Sequence, residues 1–219
     1  MRYQLYYWPG IQGRGEFIRL AFEYAGVRYE DVARKQGDEV IQQILERPGA
    51  PFACPVLKAG KLLIGQTPNI LHYLGPRLGL APKDEPRRLW LHQVQLTIAD
   101  WLTEIHDTHH PIGSGLYYED QKKEAKRRAK DFLANRLPKY VSYFEDNLSG
   151  KFSYINLSLF QMVEGLEYAF PRAMKGIRAP RLRRNRDEVR KALAAYLGSE
   201  RRIAFNQQGI FRHYAELDA

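Results

Sequence analysis

The sequence predicts an α/β amino-terminal part with a mixed four-stranded sheet, followed by an all-helical carboxyl-terminal part. Within residues 1–80 the hydrophobic periodicity alternates in the order β-α-β-α-β-β-α. The stretch from Pro76 to Pro86 then holds three prolines, which is typical of a linker. After it no strand pattern recurs. We therefore expect one domain at 1–80 and a second, all-helical domain at 86–219.

Composition places the chain among ordinary globular proteins. It has 219 residues, 44% of them hydrophobic and 27% charged. No apolar run approaches the roughly 20 residues that span a bilayer, and no apolar signal core follows Arg2. The single cysteine excludes an internal disulfide and a cysteine-cluster metal site. We expect a cytoplasmic protein with no membrane partner.

The formal net charge is +9, and much of the excess lies in residues 122–130 and 178–190. Solvated helix faces account for such runs most simply, and a field that attracts anions is the alternative. The chain shows no aromatic-plus-basic motif for reading bases and no zinc-finger spacing, so nucleic acid is an unlikely partner.

The first part begins with a predicted buried strand from Tyr3 to Trp8, broken by Pro9-Gly10. A helix follows from Arg14 to the stop signal at Gly26. Its apolar positions share one face, and its charged positions lie elsewhere; the former are Phe17, Leu20, Ala21 and Tyr24, the latter Glu16, Arg19 and Glu23. A second strand is predicted over Val27 to Val32 and a weak helix over Asp38 to Leu45.

The stretch from Phe52 to Thr67 is the most informative in the chain. Two short apolar runs, Val56-Leu57 and Leu62 to Ile64, read as a β-hairpin. Pro55 belongs at the start of the first strand, and the Cys54–Pro55 bond is a candidate for the cis form. Thr67 followed by Pro68 predicts a helix N-terminus. Because such a terminus attracts anions, we expect a carboxylate site beside an open backbone edge.

Four helices are predicted in the second part. The first, from Arg87 to His110, carries a buried stripe, and the second, Glu119 to Leu148, is kinked at Pro138. The stripe comprises Trp90, Val94, Ile98, Trp101 and Ile105; the core of the second helix comprises Phe132, Leu133, Tyr140, Val141 and Phe144. A third, Ile155 to Phe170, follows a capping box with Asn156 in place of an acid. The fourth covers Asp187 to Leu197, and the tail from Ile203 to Ala219 packs back on the body.

This combination resembles the cytosolic glutathione transferases of the tyrosine-type classes (alpha, mu, pi and sigma). The resemblance covers nearly the whole chain and rests on five motifs in order. They are Tyr6-Tyr7-Trp8-Pro9 with Gly13-Arg14-Gly15-Glu16, Cys54-Pro55-Val56-Leu57, Gln66-Thr67, Ile98-Ala99-Asp100, and Leu157-Ser158-Leu159-Phe160 with Gly165 and Phe170-Pro171. The resemblance implies a thioredoxin-like first domain, glutathione as co-substrate and a homodimer involved in detoxification. We expect a bacterial source.

The same resemblance implies the chemistry. A small thiol has a pKa near 8.5, so little of it is thiolate at neutral pH, and a phenol that donates to the sulfur favours the anion. Tyr7 matches the family's catalytic tyrosine, with Tyr6 on the opposite strand face as the alternative. Arg14 would support the thiolate. The Cys54 thiol is a rival nucleophile, although it precedes Pro55 and lacks a partner cysteine.

The resemblance also assigns binding roles. Gln66 and Thr67 would hold the γ-glutamyl carboxylate, Asp100 of the neighbouring subunit its ammonium, and the backbone at Cys54 and Pro55 the cysteinyl amide. The tryptophan and lysine that some classes use for the glycine carboxylate have no clear match, so Lys35 and Arg34 are the substitutes. Candidate contacts to a small hydrophobic electrophile are Trp101, Ile105, Tyr117 and Phe205.

Three departures and two alternatives accompany the resemblance. Thr67 replaces Ser, Asn156 replaces a capping Asp, and the loop Gly10-Ile11-Gln12 is about one residue longer than in related members. His106, His109 and His110 suggest a metal site, but their ligand set is incomplete, and favourable histidines at a helix C-terminus explain them better. A non-catalytic binding or stress protein that keeps the fold is the second functional hypothesis.

Overall fold

The computed structural model describes residues 2–148 and 150–218; Met1, Ser149 and Ala219 lie outside the described residues. A four-stranded mixed sheet with its helices forms the amino-terminal part, and helices form the rest. The expected fold class is confirmed. Among the described residues, none of the helices is long and apolar enough to cross a bilayer.

The sheet has the strand order β2-β1-β3-β4. Its strands are β1 (Tyr3–Tyr6), β2 (Tyr29–Asp31), β3 (Val56–Ala59) and β4 (Leu62–Gly65). Strand β1 pairs parallel with β2 and antiparallel with β3, and β4 pairs antiparallel with β3, which confirms the mixed sheet and the hairpin. Strand β1 ends at Tyr6 rather than at Trp8, whose side chain is half exposed.

Helices cover both faces of the sheet. They are α1 (Glu16–Tyr24), α2 (Val32–Gln36), α3 (Glu39–Leu45) and α4 (Thr67–Leu74). On one face Ile18 and Phe22 of α1 and Ile70 of α4 pack against Leu5 and Leu57 of the sheet. On the other, Val32 and Ile44 pack against Tyr6 and Val56. Successive side chains of β1 and β3 point to opposite faces of the sheet, so each strand contributes to two hydrophobic cores.

The carboxyl-terminal part is built from seven helices among the described residues. They are α5 (Glu85–Asp107), α6 (Lys122–Asp131), α7 (Leu137–Asn147), α8 (Tyr154–Ala169), α9 (Pro171–Gly176), α10 (Pro180–Ala192) and α11 (Ala194–Leu197). The predicted stripe of α5 is buried except at Trp90, which is 43% exposed. Beyond α11 the chain packs back through Ile210, Phe211 and Leu217, which confirms that expectation for residues 203–218.

The predicted second long helix is split rather than merely kinked. It starts at Lys122, after a 3-10 turn over Tyr118–Gln121, and contains a π-helical segment at Phe132–Arg136 before α7. Pro138 lies just beyond that segment, and a proline removes one helical N–H and crowds the carbonyl four residues earlier. The π-helical segment between α6 and α7 lies where this crowding falls.

The capping box of α8 is confirmed, and its unusual asparagine has a reason. The Ile155 N–H donates to Ser153 Oγ, and the Ser153 N–H donates to Asn156 Oδ1 at 2.9 Å. Asn156 Nδ2 also donates to Asn185 Oδ1 of α10 at 2.8 Å. A carboxylate has no N–H to give, so an aspartate here could cap α8 but could not donate to Asn185 of α10.

The fourth predicted helix begins earlier than expected, and α9 was not predicted. The carboxylate of Glu145 on α7 accepts the N–H groups of Arg181 and Leu182, 3.1 and 2.7 Å away, at the start of α10. This cap comes from a distant part of the sequence. The cap itself therefore left no local signal, although Pro180 at the start of α10 is a start signal that the prediction did not use.

Charged residues of α1 are buried where the two parts meet. Glu16 and Arg19 are fully enclosed, although the helical pattern placed them off the apolar face. Glu16 accepts from Tyr196 at 2.6 Å and pairs with Arg202, while Arg19 pairs with Asp31 at 2.6 Å. Buried charges are tolerated when they are paired and hydrogen bonded. The carboxyl-terminal segment is thus bonded to the helix that follows the first strand.

Candidate functional site

Tyr7 lies at the exit of β1, buried beneath the loop that starts α1. Its hydroxyl oxygen accepts a hydrogen bond from the Arg14 backbone N–H at 2.8 Å. Since that oxygen is the acceptor in this bond, the phenolic hydrogen stays available for a further acceptor. The Arg19 guanidinium lies 5.8 Å from the ring centroid. The Tyr7 hydroxyl can therefore donate its hydrogen, and the charges of Arg14 and Arg19 act on it.

Two glycines make room for this ring. A Cβ at Gly13 would lie 2.1 Å from the Tyr7 hydroxyl oxygen, and one at Gly15 would lie 2.6 Å from the ring carbons. Gly13 also has a φ of +45°, in the left-handed region. The motif Gly13-Arg14-Gly15 therefore has a steric reason: its backbone closes over the tyrosine.

Burial raises the pKa of Tyr7 above its usual value, and the Arg14 N–H and the charges of Arg14 and Arg19 only partly oppose this. The phenol is consequently protonated at neutral pH. A protonated phenol can donate a hydrogen bond to an anionic sulfur, which a phenolate cannot do.

The Arg14 backbone connects Tyr7 with the start of α4. Its N–H binds the Tyr7 oxygen, and its carbonyl accepts a hydrogen bond from Thr67 Oγ1 at 3.2 Å. Thr67 is buried and is the first residue of α4, with Gln66 as its N-cap, one residue earlier than expected. The Arg14 peptide therefore fixes the position of Tyr7, the predicted sulfur site, relative to Thr67, the predicted carboxylate site.

A cavity of about 140 Å³ opens at this junction between α4 and α5. Its lining residues are Arg14, Phe17, Gln66, Thr67, Pro68, Gln95, Ile98, Ala99, Leu102 and Thr103. The structure therefore brings together Arg14, Gln66 and Thr67. The Arg14 guanidinium forms no hydrogen bond or ion pair with any other residue that the structure describes.

Gln66 has an unusual backbone. Its φ of +64° is the one left-handed value at a described residue other than glycine. Such conformations cost about 1–3 kcal/mol and cluster at ligand sites. Here the conformation turns the chain from β4 into α4, whose first two residues, Thr67 and Pro68, line one end of the cavity.

The turn before β3 has the expected shape. The Cys54–Pro55 bond is cis. Burial raises the pKa of the Cys54 thiol to about 11. A thiol with that pKa is protonated at neutral pH and is a poor nucleophile. The structure therefore disfavours Cys54 as an attacking group and leaves its backbone as the useful part.

Asp100 is exposed on α5, outside the cavity of its own chain. It forms no ion pair with another described residue. The exposed positions Leu89, Gln93, Leu96, Asp100 and Thr103 recur at helical spacing, so they share one uncovered face.

The two candidate cations for a second carboxylate are in different situations. Arg34 donates to the backbone carbonyls of Glu200, at 2.9 Å, and Arg201. It thereby ties the carboxyl-terminal segment to α2. Lys35 is exposed and has no such partner among the residues described. Of the pair, Lys35 is the one with a free charge.

The four candidate electrophile contacts are not brought together. Trp101 is fully buried and stacks against the rings of Tyr140 and Phe144, and Ile105 lies in the same core, so neither has a face open to a ligand. This burial corrects their expected role. Tyr117 is 79% exposed on a loop. Phe205 borders a void of only about 10 Å³ beside Gln12 and Gly13.

His106, His109 and His110 cluster at the end of α5. His109 Nε2 donates to the Ile210 carbonyl at 2.8 Å, so its Nδ1 accepts from His110 Nδ1. Mainly because of burial, the pKa falls to about 3 for His109 and about 4 for His110. No group of three or more possible ligands suited to a metal occurs in the described part of the chain. The cluster anchors the tail.

Sequence reasoning missed the α5 wall of the cavity. Gln95, Ala99 and Thr103 line it at spacings of four residues, which is a helical pattern beside the apolar stripe. This four-residue spacing could have been read from the sequence as a helix face. Nothing local showed, however, that this face lies against α4.

Comparison with known proteins finds similarity to glutathione S-transferases. Residues 106–200 match the family described as "Glutathione S-transferase, C-terminal domain". A glutathione S-transferase of Plasmodium falciparum (isolate 3D7) is 24% identical over 190 residues, which cover 78% of this chain and 83% of the relative.

Solved structures share the fold. A Pi-class glutathione S-transferase of Onchocerca volvulus superposes with a TM-score of 0.68 at 20% identity, covering 90% of this chain and 92% of the other. The prostaglandin synthase D of Nilaparvata lugens gives 0.73 at 21% identity, covering 91% and 98%. These relatives are eukaryotic, so the expectation of a bacterial source is not supported by them.

Proposed function

We propose that this chain is a tyrosine-type member of the cytosolic glutathione transferases and adds the glutathione sulfur to a hydrophobic electrophile. The observation that carries the proposal is the Arg14 peptide segment, which bonds the Tyr7 hydroxyl on one side and the Thr67 hydroxyl on the other. The Arg14 segment thereby connects the buried Tyr7 hydroxyl, a hydrogen-bond donor, with the proposed anion site at the N-terminus of α4.

Tyr7 and Arg14 supply the thiol chemistry. The protonated Tyr7 hydroxyl donates to the sulfur and stabilises the thiolate relative to the thiol. The Arg14 N–H polarises the phenol by bonding its oxygen, and the unpaired Arg14 guanidinium adds positive potential. Each unit by which the pKa of the thiol is lowered corresponds to about 1.4 kcal/mol of thiolate stabilisation.

Gln66 and Thr67 hold the γ-glutamyl carboxylate. The cavity they line with Arg14 has a helix N-terminus at one end, and N–H groups there favour anions. The backbone of Cys54, next to the cis bond to Pro55, pairs with the extended peptide of glutathione. Lys35 is the exposed cation available for the glycine carboxylate.

A homodimer follows from the uncovered face of α5. Leu89 and Leu96 expose apolar surface on the same side as Asp100. If a second copy packs there across a two-fold axis, the contact is reciprocal and both sites gain an Asp100. The partner's carboxylate would meet the ammonium of the γ-glutamyl group. We place this dimer in the cytoplasm, acting in detoxification.

Turnover with a panel of electrophiles tests the proposal. Reduced glutathione and an aryl halide are mixed with the protein, and the aryl thioether is followed by absorbance over pH 6–9. We expect glutathione-dependent product that saturates in both substrates. Binding of glutathione by calorimetry without turnover across aryl halides, unsaturated carbonyls and hydroperoxides would instead support a non-catalytic binding protein.

A further inference from the structure

An ordered loop between α5 and α6 exposes three large apolar side chains. Ile112 is 60%, Leu116 42% and Tyr117 79% exposed. Soluble proteins expose single apolar residues often, but a contiguous set on one short loop marks an interaction surface. We call residues 112–117 the apolar loop.

The loop is held in place by a buried glutamine. Gln121 Oε1 accepts the N–H of Ile112 at 3.0 Å, and Gln121 Nε2 donates to the carbonyls of Gly113 and Leu116 at 3.1 and 3.3 Å. The Tyr117 N–H is also capped by Asp120 Oδ2 at 3.1 Å. These bonds hold the backbone at both ends of the loop, so the apolar side chains are carried on a fixed backbone.

Helix α6 follows directly and carries a one-sided positive charge. Lys122, Lys123, Lys126, Arg127 and Lys130 are exposed, and at 3.6 residues per turn they fall within an arc of roughly 140°. We call these five residues the basic face. Ala125 and Ala129 are buried on the flank of the helix next to Lys122. The helix therefore has no apolar side of its own left for solvent.

Few of the cations on this face are in ion pairs, although exposed carboxylates of Glu119, Asp120 and Glu124 lie in the same segment. The pKa of Glu216 is lowered mainly by a backbone hydrogen bond and by the Tyr118 hydroxyl, and the charges of Lys122 and Lys126 add to this. Lys123, Arg127 and Lys130 form no ion pair with a residue in the described ranges 2–148 and 150–218. Ion pairs consume many of the cations on α10, where Arg186 pairs with Glu167 and Arg190 with Glu164.

We propose that the apolar loop and the basic face together form a docking surface for an anionic lipid bilayer. The two features match the two components of such a surface, an apolar interfacial layer and negatively charged headgroups. Nucleic acid or an acidic protein would complement the charge, but neither would require Ile112, Leu116 and Tyr117 beside it. The chain thereby becomes a peripheral membrane protein, which revises the expectation of no membrane partner.

Flotation with vesicles tests this proposal independently of glutathione chemistry. The full chain is mixed with vesicles of phosphatidylcholine alone or with 30 mol% phosphatidylserine, and the bound fraction is measured at low and at high salt. We expect at least about ten-fold stronger partitioning to the anionic vesicles, reduced by salt, because several cations act together at the surface. No binding to anionic vesicles at low salt would overturn the proposal.

Two variants separate the components. Lys123→Gln with Arg127→Gln should weaken partitioning by about 30-fold, since each removed cation contributes about five-fold near such a surface. Ile112→Ser with Leu116→Ser should also weaken partitioning. This loss should not depend on salt, because it removes apolar burial rather than charge. The matched control, Arg184→Gln with Lys191→Gln, removes two exposed cations of α10 and should leave partitioning nearly unchanged.

Each alternative occupant gives a distinct result. An equal loss from the α10 control would mean that only net charge matters, and it would overturn the assigned surface. Loss from the α6 variant alone, with tighter retention on duplex DNA than on vesicles, would indicate a nucleic-acid site instead. If the loop variant dissociates a dimer in sedimentation, the loop is an interface between copies. Unchanged melting temperatures and circular dichroism establish that the variants fold.

Discussion

The Arg14 backbone N–H and the Tyr7 hydroxyl oxygen, 2.8 Å apart, form the bond on which the candidate site depends. The bond fixes the phenol as an acceptor from the protein and leaves its hydrogen for the ligand. Burial keeps that hydrogen in place by raising the pKa of Tyr7.

Tyr7→Phe should keep glutathione binding and raise the apparent kinetic pKa of the bound thiol. Losing the hydrogen bond removes about 1.4–2.7 kcal/mol of stabilisation, so kcat/KM should fall by about 10–100-fold, with the pH–rate profile shifted to higher pH. Tyr6→Phe is the control, because Tyr6 packs with Val32 and Val56 on the other side of the sheet. An equal effect of both changes would contradict the assignment of Tyr7 as the residue that stabilises the thiolate.

Gly15→Ala should displace the Tyr7 ring. Gly15 has an ordinary φ of −69°, so the backbone accepts alanine and the only conflict is the Cβ, 2.6 Å from the ring. Overpacking of this kind costs about 1–3 kcal/mol, and kcat/KM should fall with the melting temperature. Gly10→Ala in the same loop meets no atom within 4 Å and should change neither. Identical behaviour of the two variants would contradict the packing argument.

Thr67→Val keeps the shape of the side chain and removes its hydroxyl. The Thr67 hydroxyl donates to the Arg14 carbonyl, so it must rotate to donate to the carboxylate. Without it, glutathione should bind about 1.5–3 kcal/mol less tightly, the scale of a hydrogen bond to a charged group. Thr103→Val is the matched control, since Thr103 lines the same cavity but donates to Ala99 within its own helix. Calorimetry that shows equal affinities for both variants would place the carboxylate elsewhere.

Asp100→Asn should weaken glutathione binding and leave the dimer intact, because the side chain is exposed rather than packed. Mixing Asp100→Asn with Tyr7→Phe chains gives a sharper test. In a heterodimer with crossed sites, one site carries both defects and the other carries neither. Activity should therefore exceed that of either homodimer, and no recovery after subunit exchange is confirmed by mass would show that Asp100 does not act across the interface.

Acid should loosen the carboxyl-terminal tail. The pKa of His109 and of His110 lies below the ordinary value of 6.5, at about 3 and about 4, so folding favours their neutral forms. The unfolded chain binds more protons, and stability is lost as pH falls from 6.5 towards those values, at up to about 1.4 kcal/mol per pH unit per histidine.

Denaturant unfolding at several pH values measures this slope. His110→Gln removes one titrating group, so its stability should depend less steeply on pH between 6.5 and 4 than that of the parent chain. His213→Gln, a change outside the cluster, is the comparison. Parallel curves for the parent and His110→Gln would refute a role of this histidine in acid sensitivity.

The sequence by itself determined the features that depend on neighbouring residues. The order of strands and helices, the hairpin, the cis bond at Pro55 and the capping box at Ser153 all follow from local pattern and turn chemistry. The resemblance to a family likewise rested on short motifs. Such signals are readable because the interacting groups lie within a few residues of each other.

Only the tertiary structure decided which faces meet. It buried Glu16 against Tyr196, 180 positions away, and used the Asn156 amide to join two helices. It enclosed Trp101 in the core, placed Gln95 and Thr103 in the cavity wall, and displayed the loop at Tyr117. A side chain's burial depends on what distant chain packs over it, and no local periodicity carries that information.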